Sequence, residues 1–409
     1  MQAIKGMKDI LDDEAILYEK IIESASFVAK NYGYSYINTP HLELTALFRR
    51  SVGESSDIVG KEMYEFVDKG GNEVCLRPEG TAGVVRAFIE HKIDRTDTIK
   101  RWFYHGSMFR YERPQKGRFR EFHQFGVECF NVKSVYEDAA IISMASDILK
   151  KLDIKATLKL NSLGDKESMS RYREKLVEFL DKIPLCSDCQ RRKELNPIRV
   201  LDCKNDECQK ELKNAPLLID YLSDECKREF DKLQELLTKN GIKFTIDPKL
   251  VRGLDYYCKS AFEFVSDELG AQSAVIGGGR YDRLVEYLGG RASYGVGFAM
   301  GVERIMEILS NKEQSSKREG IYLCLLDEKY LDMAFEIAKK LRAKFSLELC
   351  YEAKNLQRHL RTASNQNKKL FLCIGENEAK NGEIWFKNLQ TRSEKMIKLE
   401  KLFEELADE

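Results

Sequence analysis

No run of about eighteen apolar residues occurs in this chain, which excludes an obvious membrane-spanning helix. The first residues, MQAIKGMKDILDDE, carry neither the basic start nor the apolar stretch of a secretory leader, so a cytoplasmic protein with no membrane partner is expected. Net charge is also missing: 67 basic residues meet 67 acidic ones, so any nucleic-acid contact must come from local patches. There is no internal repeat and no low-complexity tract, and with 43% hydrophobic and 33% charged residues the composition is that of a globular protein. The eleven cysteines are odd in number and scattered, unlike a secreted disulfide framework, so reduced thiols are expected.

What is present is enough chain for two or three domains, since 409 residues exceed the usual size of one core. Residues 14–32 place Leu17, Ile21, Ala25, Val28 and Ala29 on one helical stripe, ended by Gly33. YSYINTP reads as a strand closed by Pro40, EMYEFVD and EVCLRPE as a hairpin around KGGN, and TAGVVRAFIEH as a helix from about Thr81. Two strands, 100–112 and 119–130, flank the polar turn PQKGR. After the strand TLKLNS, residues 166–240 are mostly helical and rich in Lys, Glu and Cys. Strands return in IKFTIDP, VRGLDYYCK, SAFEFVSD and SAVIGGG, followed by a helix RYDRLVEYLGG, which suggests an insertion into an interrupted sheet domain. SNKEQSSKRE, 310–319, reads as a linker to a small α/β domain of alternating strands and helices.

The charge is concentrated in MFRYERPQKGRFREFHQFGVE, where Arg110, Arg113, Lys116, Arg118 and Arg120 put five cations in eleven positions. A period of two sets Arg120, Phe122, Gln124, Gly126, Glu128 and Phe130 on one face of the second strand, and Arg110 and Glu112 on one face of the first. A cross-strand ladder of ion pairs is the plain reading. The core-like run FGVECF argues instead that charge here is buried and requires a charged ligand. LVRGLDYYCKSAFEF carries Arg252, Asp255, Tyr256 and Tyr257 in an apolar setting, where Arg252 and Asp255 could be a structural pair. GVGFAMGVERI runs from a glycine-punctuated strand into a helix with Glu303 and Arg304 at its start, a place that favours anions. GGGRYD lacks a dinucleotide fingerprint's spacing, and LRPEGTAG is no P-loop.

Taken in order, LRPEGTAGVVRA, the arginine-rich hairpin, LVRGLDYY, GGGRYD and GVGFAMGVERI resemble the histidyl-tRNA synthetases over essentially the full chain. YSYINTPHLE resembles the first class II motif, the hairpin the second and GFAMGVERI the third, while LVRGLDYY resembles the histidine-specific signature. The resemblance implies an α+β fold: an antiparallel catalytic sheet flanked by helices in residues 1–165 and 241–312, a helical insertion at 166–240, and an α/β anticodon-binding domain at 320–409. It implies a histidine–tRNA ligase that adenylates L-histidine with ATP and Mg²⁺ and charges tRNA(His), as a homodimer with the first motif at its interface.

Residue by residue, the resemblance gives Arg110, Arg252 and Arg304 catalytic roles. Arg110 would hold the α-phosphate and the reacting carboxylate, Glu112, Arg118 and Arg304 would contact ATP, and Arg252 would stand where other class II enzymes use metal. Carboxylate attack on the α-phosphate brings anions together, so fixed guanidinium groups and Mg²⁺ must offset the charge; losing one such donor costs about 10²–10³ in rate. Glu79, Gly80, Thr81 and Gln124 are expected around the α-ammonium, Glu128 and Tyr257 at the ring nitrogens, and Tyr256 and Tyr281 around the pocket. Polar readout of this kind can reject a substrate lacking the groups by roughly 10⁴–10⁵, so the insertion is given no editing role. The turn Arg113 to Arg118, with Gln115 as a candidate, would meet the tRNA acceptor end.

Within the insertion, Cys186 and Cys189 are followed after thirteen residues by Cys203 and Cys208, the format of a structural Zn²⁺ site and a departure from better-known family members; the plain reading is four surface thiols. Cys75, Cys129, Cys258, Cys324, Cys350 and Cys373 read as small core residues. Arg358, Arg361, Lys368 and Lys369 on the helix LQRHLRTASNQNKK are candidate tRNA contacts or simply a solvated face. Two rivals remain: a catalytically silent regulatory subunit of ATP phosphoribosyltransferase, and a bare tRNA-binding module of the kind found in stress-sensing kinases. The presence of both the arginine set and the C-terminal domain weighs against the first, and the lack of a kinase segment against the second.

Overall fold

Alternation in the arginine-rich stretch becomes the centre of a large sheet. A computed structural model describes residues 1–53, 58–114, 117–203, 205–250, 256–272, 274–312 and 318–407, in two compact units, Met1–Lys312 and Glu313–Glu409. In the first unit Lys100–Phe109 and Glu121–Phe130 pair antiparallel. They belong to an eight-stranded sheet in the order Ser35–Tyr36, Lys100–Phe109, Glu121–Phe130, Gly295–Gly301, Ala274–Arg280, Cys258–Val265, Thr157–Ser162, Phe244–Ile246. The two outermost pairs are parallel and the inner pairs antiparallel. A separate sheet joins Leu42–Leu44, Glu73–Leu76 and Tyr64–Val67.

Successive strand residues point to opposite faces. One face presents Phe103, Phe125, Val127, Phe262 and Phe298 to a core shared with the helices Asp12–Asn31, Val135–Lys151 and Val302–Lys312. The predicted stripe Leu17, Ile21, Ala25, Val28 and Ala29 is buried there, each large apolar side chain contributing about 1.5–3 kcal/mol. Asp12, Asp13 and Glu14 in the first turn suit that helix's dipole, and Gly33 at φ +83° lets the chain leave it. The opposite face carries Tyr104, Phe130, Tyr256 and Tyr281 against the helix Thr81–Glu90 through Val84, Val85 and Phe88, and holds the candidate site.

Several sequence expectations shift. The first hairpin strand ends at Phe109, so Arg110 and Glu112 lie in the connection, where Glu112 N donates to Arg110 O at 2.7 Å and turns the chain. Arg120 precedes its strand and escapes the period-two pattern: its guanidinium lies 3.8 Å from the centre of the Tyr111 ring. The helix read at RYDRLVEYLGG is a single turn, Leu284–Tyr287, because Arg280 still belongs to a strand and Tyr281 is locked in the core. Of the linker 310–319, residues up to Lys312 continue the preceding helix.

The excursion after Thr157–Ser162 has a small core of its own, with Tyr172, Leu176, Leu180, Val200, Leu212 and Leu218 around Cys189, Cys203 and Cys208. Its final helix, Asp224–Lys239, instead sends Phe230, Leu233 and Leu237 into the sheet's core. A clasp joins departure and return. Asp165 accepts from Ser168 N at 2.8 Å and from Ser223 Oγ at 2.7 Å, and Ser223 N donates to Ser168 Oγ at 2.8 Å.

The second unit is a five-stranded sheet ordered Leu347–Leu349, Ile321–Leu325, Leu370–Ile374, Glu383–Asn388, Glu394–Lys398, the first three parallel and the last two antiparallel. Helices Leu331–Leu341 and Leu356–Asn365 make the crossovers. Among the described residues no helix is long and apolar enough to cross a membrane.

Candidate active site

Segments distant in sequence line one cleft of about 240 Å³: Glu79 and Thr81; Arg110, Glu112, Arg118, Phe122 and Gln124; Tyr256 and Tyr257; Glu263; and Gly301, Glu303 and Arg304. Arg110 is fixed by its Nε, which donates to Pro78 O at 2.9 Å, and its guanidinium lies 5.1 Å from the Phe122 ring centre. Arg118 Nη1 meets Glu112 Oε2 at 2.8 Å, while Arg110 Nη1 is 4.0 Å from Glu112 Oε1. Arg304, in the first turn of Val302–Lys312, reaches across to donate from Nη1 to Ala274 O. Burial, followed by the positive fields of Arg118 and Arg110, lowers its pKa despite Glu112 and Glu263 nearby. Three guanidinium groups thus crowd one volume, and an anion entering it relieves their repulsion. Glu303 is occupied elsewhere: it accepts from His123 N at 2.9 Å and meets His123 Nδ1 at 2.7 Å.

Beside the arginines is a niche of buried acceptors. Glu79, 4% exposed, accepts from Thr81 N at 2.6 Å and Ala82 N at 2.8 Å, at the start of the helix Thr81–Glu90. Burial raises its pKa against the pull of those bonds. Thr81 Oγ1 donates to Glu128 Oε1 at 2.7 Å, which leaves the hydroxyl's lone pairs for another donor. Gln124 Oε1 and the Tyr256 hydroxyl are buried with no hydrogen-bond partner among the described residues. Such orphans cost about 1–3 kcal/mol each and mark where a ligand's N–H groups belong.

Glu128 forms the back of this niche. It is 1% exposed and accepts from Thr81, Tyr104 and Tyr281. Burial pushes its pKa up to about 8, those hydrogen bonds opposing and Glu79 adding to the rise. Small residues make this packing feasible. A Cβ on Gly80 would stand 2.1 Å from the Tyr104 ring and one on Gly126 would stand 2.3 Å from it, while a Cβ on Gly297 would stand 2.1 Å from Glu128 Oε2.

Of the residues expected from sequence, Glu79, Thr81, Arg110, Glu112, Arg118, Gln124, Tyr256, Tyr257 and Arg304 meet at the cleft, and Gly80, Glu128 and Tyr281 stand behind it. Arg252 and Asp255, like Gln115 and Lys116, fall outside the described residues. Sequence reasoning missed Phe119, Glu263 and the strand wall Ala274 to Gly277, and also Tyr104 and the His123–Glu303 pair. Phe122 was placed on the correct face but given no role. Tyr104 had a signal, since it falls on the same period-two face as Trp102.

In the excursion, the thiols of Cys186, Cys189, Cys203 and Cys208 all lie within 4.8 Å of one another. Cys75, Cys129, Cys324 and Cys373 are buried, as read from sequence, while Cys258 and Cys350 are partly exposed. On the helix Leu356–Asn365, His359 and Ala363 face inward and Arg358 and Arg361 face solvent; Lys368 and Lys369, expected on the same helix, lie beyond its end, and Lys368 pairs with Glu348 at 3.0 Å.

Comparison with known proteins agrees with this geometry. The family described as Histidyl-tRNA synthetase matches residues 6–165 and 188–305, and an anticodon binding domain matches 312–409. A histidine–tRNA ligase of Campylobacter concisus is 67% identical over 406 residues, covering 99% of each chain; one from Campylobacter hominis is 65% identical over 99% of this chain and 100% of its own. The crystal structure of apo histidyl-tRNA synthetase from S. aureus superposes with a TM-score of 0.82 at 31% identity, covering 99% of both chains. With the arginine cleft, the acceptor niche and full-length likeness in agreement, this chain belongs to the histidyl-tRNA synthetase family.

Proposed function

We propose that the chain is a histidine–tRNA ligase: it joins L-histidine to the α-phosphate of ATP with release of pyrophosphate, then passes the histidyl group to the terminal ribose of tRNA(His). The observation that carries this reading is the convergence of Arg110, Arg118 and Arg304 on a cleft that also contains unpartnered acceptors.

The polyphosphate lies among these guanidinium groups. Arg110, anchored through Nε, directs its remaining donors at the histidine carboxylate and the α-phosphate, holding attacker and target together as charge develops. Arg118 and Arg304 take the outer phosphates, Glu112 orients Arg118, and Phe122 offers an apolar surface to the base. The α-ammonium donates to Glu79, Thr81 and Gln124, and the imidazole nitrogens are read by Tyr257 and, from the back of the niche, by Glu128, with Tyr256 and Tyr281 shaping the pocket and Gly80 letting the Tyr104 ring pack against the helix start. Arg252 adds a cation at the α-phosphate. Glu112 and Glu263 offer oxygen atoms suited to a phosphate-bound Mg²⁺, which would neutralise charge on the leaving pyrophosphate. No protein nucleophile is required. Residues 1–165 and 241–312 form the catalytic domain around the insertion at 166–240, the working unit is a cytoplasmic homodimer, and residues 320–409 bind the anticodon arm.

Amino-acid-dependent ATP–pyrophosphate exchange across the standard amino acids tests the proposal. Exchange with histidine alone is expected. Histidine binding without exchange would instead indicate the regulatory subunit.

A further inference from the structure

We infer that Cys186, Cys189, Cys203 and Cys208 bind one structural Zn²⁺ ion that clips the insertion's small core together.

The two pairs are built alike. Cys186 caps the helix Ser187–Leu195, and Cys189 is the third residue of that helix. Cys208 is likewise the third residue of Asp206–Glu211, whose Asn205 cap accepts from Glu207 N and Cys208 N at 3.0 and 3.1 Å. Each half therefore presents one thiol ahead of a helix, Cys186 as the cap itself and Cys203 two residues before the Asn205 cap, and one thiol from the helix's first turn. The halves face each other: Cys186 Sγ is 3.9 Å from Cys203 Sγ. A zinc ion with bonds of about 2.3 Å to four sulfurs sets them about 3.7–3.8 Å apart at tetrahedral angles, a spacing the Cys186–Cys203 pair nearly has already, while the widest separations, within 4.8 Å, would close by up to about 1 Å. Backbone N–H groups already point at two of the sulfurs, Cys186 N to Cys208 Sγ at 3.3 Å and Asn205 N to Cys203 Sγ at 3.4 Å, where they would stabilise thiolate charge.

The surrounding chain has reason to need a clip. The helix Ser187–Leu195 buries only Cys189, and Asp206–Glu211 buries only Cys208. These two short helices thus join the excursion's core through their thiols, and a metal would add a tie that their own apolar side chains do not supply. Four protein ligands leave no corner for water or substrate, so the role is structural. The insertion core nevertheless touches the active site, because Tyr257 packs both against it and against the Tyr104–Tyr256–Tyr281 cluster. Binding releases the thiol protons and oxidises nothing.

The test uses the full chain purified under reducing conditions without chelator. Elemental analysis should give about one zinc per chain, and cobalt exchanged into the site should produce the intense absorption of a tetrahedral tetrathiolate. The double variant Cys203→Ser/Cys208→Ser should lose the metal, whereas Cys226→Ser, a buried thiol outside the cluster, should keep it. Should the double variant fail to fold, zinc content and the cobalt spectrum of the unmodified chain decide alone. Less than half an equivalent of zinc with four freely titrating thiols, a mass deficit showing disulfides, or the visible chromophore of an iron–sulfur cluster would each overturn the inference.

Discussion

The Tyr281 hydroxyl donates to a carboxylate oxygen of Glu128, and both side chains are only 1% exposed. Tyr281 sits over Gly295, where a Cβ would come 2.3 Å from its ring, so neither partner can move aside. The pair closes the back of the pocket and keeps a carboxyl group away from water.

That carboxyl gives stability a particular pH dependence. Its pKa rises from the ordinary 4.5 to about 8 on folding, so between these values the native protein holds a proton that the unfolded chain releases. Its contribution is complete below pH 4.5, falls as pH climbs towards 8 and is constant above that, with a slope of at most about 1.4 kcal/mol per pH unit. Denaturation midpoints of ligand-free protein, measured from pH 5 to 8.5, should decline less steeply in Glu128→Gln than in the unmodified chain. Parallel curves would show that Glu128 is ionised throughout.

Arg304→Gln removes one of three converging cations and should reduce histidine-dependent exchange about 10²–10³-fold with little effect on unfolding. Arg304→Lys should not restore the rate, since a point charge cannot both bond to Ala274 O and face a phosphate.

Gly126→Ala should destabilise the protein by about 1–3 kcal/mol, because the new methyl meets the Tyr104 ring, which Gly80 already confines from the other side. Chemical denaturation measures the loss. Tyr104→Leu in the same chain should recover part of it.

Arg280, 2% exposed, bonds through Nε to both Asp138 oxygens at 3.1 and 3.2 Å and through Nη1 to Val132 O at 2.9 Å. Asp138→Asn leaves that cation with Asp282, 3.1 Å away, as its one acidic partner among the described residues, and should cost about 3 kcal/mol by the same measurement.

Reversing charge at Arg358 and Arg361 should raise the Michaelis constant for tRNA(His) several-fold and leave exchange untouched. These residues face solvent on a helix whose inner side is fixed by His359, hydrogen-bonded near Tyr322 and Leu325. Equal effects on both assays would place them in the fold instead.

Much of the sheet could be read from sequence because alternation survives wherever one strand face is buried, as in Phe103, Phe125 and Val127. The same pattern failed at Arg120, where extended geometry had not yet begun. Chain order gave no hint that His123 would engage Glu303, 180 positions away, or that Phe119 would join the cleft wall. Those contacts exist only once Glu121–Phe130 and Gly295–Gly301 are neighbours. The closeness of Cys186 to Cys189 and of Cys203 to Cys208 was legible because residues a few positions apart stay near each other, whereas the meeting of the two pairs depends on the excursion's own core.

The clasp of Asp165, Ser168 and Ser223 has a consequence for how this architecture can diversify. Burial would raise the Asp165 pKa, but the Ser168 and Ser223 bonds overcome it and bring it down to about 2, so the knot stays tied across physiological acidity. Whatever hangs between its ends begins and finishes at one spot. Lengthening, trimming or replacing that appendage changes the closure entropy only logarithmically and leaves every strand register intact, which makes it a natural place for a lineage to graft something new.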